Sequence, residues 1–550
     1  MKKLSEKKRA WIERSVYNNR AYKGFLYNRF FIYLLSAIAQ VAALAVLVIL
    51  LLSHAKWAIF AQIVVELFAL GLVCYIVSNH DRASTKLSWI ILILAFPVFG
   101  VPSYLACSGG RPTKGMQKKI QRAQAENEAA LKEAGFENGA ISLPDAFSQE
   151  AQATQTERLD EVDGVSRYLQ TQAHYPAFTG GNICYYQSGE EVFPDMLKAI
   201  ESAKKYILLE YFILSVGEMW NAVLQRLIQK AEEGVQVRIL YDDMGCIVTL
   251  PPKYNEYLES FSPNMQCLKF NKAVPFFAVR LNHRDHRKML VVDGRIAFTG
   301  GINLADEYIN KKERFGYWKD TSVKIEGSSV WSFTKMFFAL WNAFYKQKSN
   351  IINFLPVEDE KLTINNLGKG EILQPFDDSP LDRKSVGETV YAQMIHAAKT
   401  YAYIFTPYLV LDDYLRQALC CAAERGVDVR IVTPGIPDKK TVYRLTRSNY
   451  KTLQQSGVKI YEYSPGFIHA KSIVCDDCRA VVGTINFDYR SLYHHFENAV
   501  YFTHKQAVLA VKRDAEEVFA VSKLRSIADE KKGVFSRIFD CFLRVFETLL

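Results

Sequence analysis

One block of residues occurs twice in this chain of 550 residues, and its spacing is the strongest constraint on the fold. The first copy reads His286-x-Lys288, four residues, Asp293, six residues, then Gly300-Gly301-x-Asn303. The second, 183 residues further on, reads His469-x-Lys471, four residues, Asp476, six residues, then Gly483-Thr484-x-Asn486. MLVVD after Lys288 and SIVCD after Lys471 are apolar, β-branched runs, too short for helices, and predict strands closing in a tight turn at Gly294 and Asp477. Residues two apart on a strand leave the same face, so each copy is expected to hold an imidazole beside an ammonium. The return strands RIAFTG and RAVVGT end in small residues that permit close approach, with Asn303 and Asn486 near the strand ends.

Two such copies face to face supply two imidazoles, two cations and two amides. That set suits phosphoryl transfer without a metal. One histidine attacks phosphorus, the other protonates the leaving oxygen, and the lysines and asparagines stabilise charge on the phosphoryl oxygens. Histidine can serve as acid or base because its ordinary pKa lies near neutrality. A metal site is the weaker reading, since a lysine stands beside each histidine and the nearby carboxylates suit turn or orienting roles. Cys475-x-x-Cys478 is a single pair without the second pair that makes zinc specific, and reads as a hairpin tip.

The pair HRKMLVVDGRIAFTGGIN and HAKSIVCDDCRAVVGTIN resembles the duplicated signature of the phospholipase D superfamily. The flanking GGINLADEY (300–308), WKD (318–320), TPYLV (406–410), GTINFDYRS (483–491) and FEN (496–498) resemble those of bacterial cardiolipin synthases, from about residue 56 to near the end of the chain. The resemblance implies an α/β fold: two phospholipase D-type domains about a pseudo-two-fold axis, each with a central mixed β-sheet flanked by helices, sharing one active site, with transmembrane helices at the N-terminus. It also implies a phosphatidyl-histidine intermediate, with His286 as nucleophile and His469 as acid and then base. His286, Lys288, Asp293, His469, Lys471 and Asp476 form the implied catalytic set, in which the two aspartates resemble structural and orienting residues. Asn303, Asn486, Glu307 and Glu497 are the implied phosphate-binding or orienting residues. Glu307 and Glu497 resemble the carboxylates that hold the partner histidine in the required tautomer. The substrate implied is phosphatidylglycerol as both donor and acceptor, giving cardiolipin and glycerol. One phosphodiester breaks and another forms, so neither metal nor any other cofactor is expected. Hydrolysis, as in a phospholipase D, or transfer to another alcohol would use the same residues.

Taken in order, the chain opens on a tail (1–30) with nine Lys/Arg and two Glu, a net of +7 out of the formal +10. The remainder is nearly balanced, which argues against nucleic acid as partner. Three apolar segments follow within 31–106, at 31–52, 57–77 and 87–105. Their length and composition predict membrane spans, and hence a multi-pass protein of the cell membrane, while Pro97 and Pro102 permit a kinked or re-entrant third segment. The basic residues after the third, together with cysteines that form no regular framework, favour catalytic domains facing the cytoplasm. Residues 107–175 read as a polar juxtamembrane helix and linker, 176–365 and 366–530 as the two catalytic domains, and 531–550 as an amphipathic helix suited either to a bilayer surface or to packing on the catalytic body. A strand–helix–strand unit recurs in both domains, each helix ending at a glycine (Gly234, Gly426) in front of V-x-V-R.

Overall fold

The run YILLEY at 206–211 and its counterpart YAYIF at 401–405 become central strands of the computed structural model, buried along their whole length because helices cover both faces of each sheet. The structure describes residues 42, 49, 55–79, 82–107, 113–135, 163–179, 181–272, 283–356, 371–382, 385–527, 533–545 and 547. The first sheet uses β1 (Asn182–Tyr186), β2 (Tyr206–Tyr211), β3 (Gln236–Asp242), β4 (Met265–Phe270), β5 (Lys288–Val292) and β6 (Ile296–Gly300). The short β7 (Tyr317–Lys319) stands outside it and β8 (Ser322–Glu326) completes it, in the order β1-β8-β6-β5-β2-β3-β4. The second uses β9 (Leu373–Asp378), β10 (Tyr401–Phe405), β11 (Asp428–Pro434) and β12 (Lys459–Tyr463). After β13 (Gly466–Ile468), which also stands outside, come β14 (Ser472–Cys475), β15 (Arg479–Gly483), β16 (Glu497–Phe502) and β17 (Ser522–Leu524). Its order is β17-β12-β11-β10-β14-β15-β16-β9. From β4 to β1 and from β12 to β9 the two sheets run through the same succession, two parallel pairings and then four antiparallel ones. These are the two α/β domains with mixed sheets that the duplicated motif predicts.

The local repeats follow the same plan. The helix Glu218–Glu232 buries Met219, Trp220, Val223, Leu224, Leu227 and Ile228, one apolar face at helical spacing. It stops because Gly234 adopts φ +98°, letting the Val235 N–H return to the Lys230 carbonyl at 3.0 Å. In the second domain the helix Asp413–Glu424 stops the same way, at Gly426 (φ +95°), with Val427 N–H on the Ala422 carbonyl at 3.1 Å. Between the sheets lies the helix Val330–Phe344, buried nearly all round. Its Trp331, Phe337 and Trp341 belong to one apolar core that also takes Met289 and Val291 from β5 and Val474, Val482 and Val500 from the second sheet. The polar helix at Lys114–Glu133 joins this body, with Ile120 and Leu131 in the same core and Asn127 accepting from the Asn342 amide at 2.8 Å.

The N-terminal expectation is corrected. Among the described residues no helix is long and apolar enough to cross a membrane. The segment 87–105 shows one physical reason. It breaks at Phe96-Pro97 into helices Ala83–Ala95 and Pro97–Cys107, of 13 and 11 residues. At 1.5 Å per residue these reach only about 20 and 16 Å, against a hydrocarbon core of about 30 Å. They fold back on each other, with Trp89 and Tyr104 edge to face at 5.4 Å. Polar contacts then fasten them to the second domain: Arg82 to Glu388 at 2.7 Å, and the Tyr489 hydroxyl to Ser84 at 2.9 Å. The segment 57–77 lies in the helix Ala55–Ser78, which carries Glu66 near its middle. Among the described residues the transmembrane helices of the expected fold therefore fall away, and with them the multi-pass assignment and the sidedness argued from it. The tail 1–30, the segment 31–52 apart from Ala42 and Ile49, and residues 136–162 of the linker lie outside the described residues. At the other end the helix Val534–Val545 packs on the body, with Leu543 against Val410, Leu445 and Tyr489, and Asp540 bound to Arg444 at 2.5 Å.

Candidate active site

Each histidine of the duplicated motif sits just ahead of the strand that carries the rest of its motif, where backbone from the opposite domain crosses it. The His286 N–H donates to the Phe496 carbonyl at 2.9 Å, and Phe496 N–H returns to the Arg284 carbonyl at 2.8 Å. On the other side the His469 N–H donates to the Lys319 carbonyl at 2.7 Å, continuing the parallel pairing of β13 with β7. The side chains cross in the same way. His286 Nδ1 lies 2.8 and 2.9 Å from the two Glu497 oxygens, and His469 Nδ1 lies 2.7 Å from Asp320 Oδ2. Each imidazole is therefore held by a carboxylate of the other domain.

Electrostatics sets the protonation of both pairs. Burial pushes His469 down to about 4, with Lys471 adding to the shift and Asp320 opposing it. His286 is driven well below its ordinary value, again chiefly by burial. Burial alone would raise Glu497 and Asp320, but the histidines facing them, with Lys471 beside Asp320, outweigh it and hold both carboxyls below the usual range. An ionised carboxylate only accepts, so each imidazole donates from Nδ1 and leaves Nε2 with a free lone pair. Both lysines are buried, and each donates to its own histidine's backbone carbonyl: Lys288 to His286 at 2.7 Å, Lys471 to His469. Burial pushes Lys288 down to about 8 and Lys471 to about 7, while both cations feel Glu497 and Asp320.

The other residues singled out from sequence divide into near and far. Asn303 lies on the His469 side, its amide donating to the Tyr308 hydroxyl at 2.7 Å, and the Tyr308 ring is 5.5 Å from that of His469. The Asn486 amide donates to Asp488 at 3.0 Å, and its carbonyl oxygen is buried without a partner among the described residues. Glu307 is not the orienting carboxylate; it pairs with Arg314 at 3.3 Å, and Asp320 holds His469 instead.

Asp293 and Asp476 lie about 16 Å along their strands from the lysines. Each turns the hairpin at positive φ, 52° and 54°. Asp293 accepts the backbone N–H groups of Lys204, Lys205 and Tyr206 at 2.7–2.8 Å, and Asp476 those of Lys399, Thr400 and Tyr401 at 2.7–3.0 Å. These contacts fasten the hairpin to the start of the neighbouring strand. Asp293→Ala is expected to lower unfolding free energy by about 2–3 kcal/mol, because three donors lose their acceptor; urea denaturation checks this, and an unchanged midpoint refutes it. Cys475 and Cys478 bracket the other hairpin turn, joined through their backbones at 3.1 Å.

Sequence reasoning missed Asp320, Thr484, Asn498 and His495. The Thr484 hydroxyl donates to Glu497, and the Asn498 amide donates at 2.8 Å to Thr299, which in turn donates to the Lys288 carbonyl. Gly301 occupies the place of Thr484 in the other domain; a Cβ there would lie 2.0 Å from Asp320 Oδ1, so the shorter carboxylate fills that space. The available signal was the match of WKD to HFE, each ending in the carboxylate at or just before the next long strand. Among the described residues one group could hold a metal ion, His286, His495 and Glu497, with donor atoms within 4.8 Å of one another. Glu497 is already bonded to His286 and Thr484, and a cationic lysine lies beside the group, so Glu497 fits the part of a hydrogen-bonding partner to His286 better than that of a ligand in a tetrahedral set.

Comparison with known proteins agrees with this geometry. A family model described as "Cardiolipin synthase, PLD-like domain" matches residues 196–323 and 391–519, and "Phospholipase_D-nuclease N-terminal" matches 67–108. The chain is 31% identical over 497 residues to a probable cardiolipin synthase of Bacillus subtilis, covering 87% of this chain and 93% of the relative. It is 32% identical over 464 residues to a cardiolipin synthase of Alkalihalophilus pseudofirmus, covering 84% and 88%. An uncharacterized protein of Streptococcus mutans is 40% identical over 457 residues, 82% of this chain and 94% of that one. The crystal structure of phosphatidylserine synthase from Haemophilus influenzae shares the fold, with a TM-score of 0.54 at 16% identity over 70% of this chain and all of that one. A composite, histidine-containing site of the phospholipase D type, built from two repeated α/β domains, places this chain in the bacterial cardiolipin synthase family of the phospholipase D superfamily.

Proposed function

We propose that this chain is a cardiolipin synthase that moves a phosphatidyl group from one phosphatidylglycerol to another through a phosphohistidine on His286, releasing glycerol. The observation that carries the reading is the crossed pair of histidine–carboxylate contacts, which leaves two Nε2 lone pairs beside two buried lysines. In the first step His286 Nε2 attacks phosphorus, the bond to the headgroup glycerol oxygen breaks, and His469 gives that oxygen a proton. In the second, His469 takes the proton from a glycerol hydroxyl of another phosphatidylglycerol; that oxygen attacks phosphorus and the N–P bond breaks. The anionic phosphodiester favours the protonated form of His469 that the first step needs, since an added negative charge raises an imidazole pKa. Glu497 and Asp320 hold the two Nδ1–H tautomers and stabilise each imidazolium as it forms. Lys288 and Lys471 offset charge on the non-bridging oxygens. Asn303 and Asn486 assist there, while Asp293 and Asp476 act by holding their hairpins. On this reading the catalytic unit comprises domains at 176–365 and 366–530.

The test is a product assay on the purified full chain in mixed micelles, with labelled phosphatidylglycerol as the only lipid and no nucleotide or divalent metal added. Labelled cardiolipin with an equal amount of glycerol is the expected outcome. Phosphatidic acid as the main product would mean that water takes the intermediate, making the chain a phospholipase D. Turnover only after another alcohol is supplied would move the acceptor elsewhere.

A further inference from the structure

The sequence HHFE at 494–497 carries a third imidazole into the site. His495 is buried, with 9% of its surface exposed, and neither of its ring nitrogens has a hydrogen-bond partner among the described residues. Its ring centroid is 5.4 Å from that of His286, with the two planes at 45°. Its Nδ1 is 3.6 Å from Glu497 Oε1, attractive for a charge but too long for a hydrogen bond. A buried imidazole without a hydrogen bond is expected to find a partner for its polar edge, since leaving it unmade costs free energy.

The other domain shows that this position addresses the site. His495 stands two residues before Glu497, and Trp318 stands two residues before Asp320. The Trp318 ring lies 5.6 Å from His469, much as the His495 ring lies near His286. Around His469 this position belongs to an aromatic wall, where Trp318 packs on Tyr308 and on Phe467, both at 4.8 Å. Around His286 it is an imidazole. The two copies thus differ at one position at the edge of the catalytic pair, an indole facing His469 and an imidazole facing His286, each with a buried ring nitrogen that has no hydrogen-bond partner among the described residues.

We propose that His495 contacts the substrate: its Nε2–H, the ring nitrogen across from the one nearest Glu497, donates a hydrogen bond to a non-bridging oxygen of the phosphodiester bound between His286 and His469. The contact rests on the phosphoryl-transfer reading above, but not on which lipid supplies the phosphate. The bound oxygen satisfies the imidazole that lacks a hydrogen-bond partner without it.

Inorganic phosphate is the probe, titrated against the purified full chain and followed by 31P line broadening. His495→Phe keeps an aromatic ring and removes both nitrogens, and is expected to weaken phosphate binding about tenfold. His495→Gln places an amide N–H near the position of Nε2 and is expected to stay within about threefold of the parent. His495→Asn, whose amide falls nearer Nδ1, is expected to resemble the Phe variant. Thermal unfolding reports whether each variant is folded; if the Phe variant is not, the Gln and Asn pair decides. Parent-like phosphate binding in the folded Phe variant, equal binding by Gln and Asn, or no phosphate binding by the parent overturns the proposal. A tenfold loss in a protein that makes no cardiolipin supports the His495 contact and sinks only the assignment of the lipid.

Discussion

Replacing either His286 or His469 by alanine is expected to lower turnover of phosphatidylglycerol by about four orders of magnitude or more, the scale seen when a nucleophile or its proton-transfer partner is removed from a unit that acts together. Without His286 no N–P bond forms; without His469 the leaving glycerol oxygen departs unprotonated and the acceptor hydroxyl keeps its proton. Because the two act in sequence on one intermediate, the double variant is expected to be little worse than either single one. The single variants should still differ in one respect. With a donor whose leaving group needs no proton, such as a nitrophenyl ester, His469→Ala is expected to load the phosphatidyl group onto the protein and retain it, whereas His286→Ala is not. Intact-protein mass spectrometry reads the added mass directly. Loading on the His286→Ala variant alone would exchange the two roles, and substantial turnover in either variant would remove the shared site.

Alanine at Lys288 or Lys471 is expected to reduce kcat by about 10²–10³-fold, some 2.7–4 kcal/mol, as for loss of one preorganised donor to a developing oxyanion. These side chains do more than neutralise a charge at long range. Each is buried and fixed on the carbonyl of its own histidine, so its cation is in position before the reaction begins. The same burial makes them pH-sensitive. Lys288 is pushed down to about 8 and Lys471 to about 7, so raising the pH through that window removes the cations that the transition state uses. The parent's kcat/KM, which reports the free enzyme, should therefore fall on the alkaline side from about pH 7–8 upward, and each alanine variant should lose its share of that fall. A profile flat to pH 9.5 in the parent would separate the lysines from the rate.

Much of this was legible in the residues, and the gaps have physical causes. The strands, the hairpin turns and the glycines closing Glu218–Glu232 and Asp413–Glu424 follow from local patterns, and local patterns are what a sequence displays. Glu497 was recognisable from FEN, but its counterpart was not. In the second domain the carboxylate follows its asparagine by eleven residues; in the first, the loop carrying the turn at Asp306–Ile309 and β7 widens that interval to seventeen. Nearness in sequence favours Glu307, while the fold delivers Asp320 from beyond the loop. His495 escaped because a histidine outside the repeated motif carries no spacing signal, and only the superposed pattern of the two domains shows Trp318 in its place. The apolar segment at 87–105 misled for a different reason. Pro97 and Pro102 mark where this run can kink, but hydropathy counts residues, and only the structure shows Phe96-Pro97 dividing it into two short helices folded against each other.

The crossed holding of the histidines has a genetic corollary. A lesion in this chain need not be felt in the half of the gene where it falls. Loss of Asp320 injures the histidine encoded 149 residues downstream, and loss of Glu497 the one encoded 211 residues upstream. A map of harmful alleles would therefore group by histidine served rather than by repeat, Asp320 alleles resembling those at His469 and Glu497 alleles those at His286. Neither repeat can be inherited, exchanged or drift as an autonomous enzyme, because each carries the support for chemistry performed by the other.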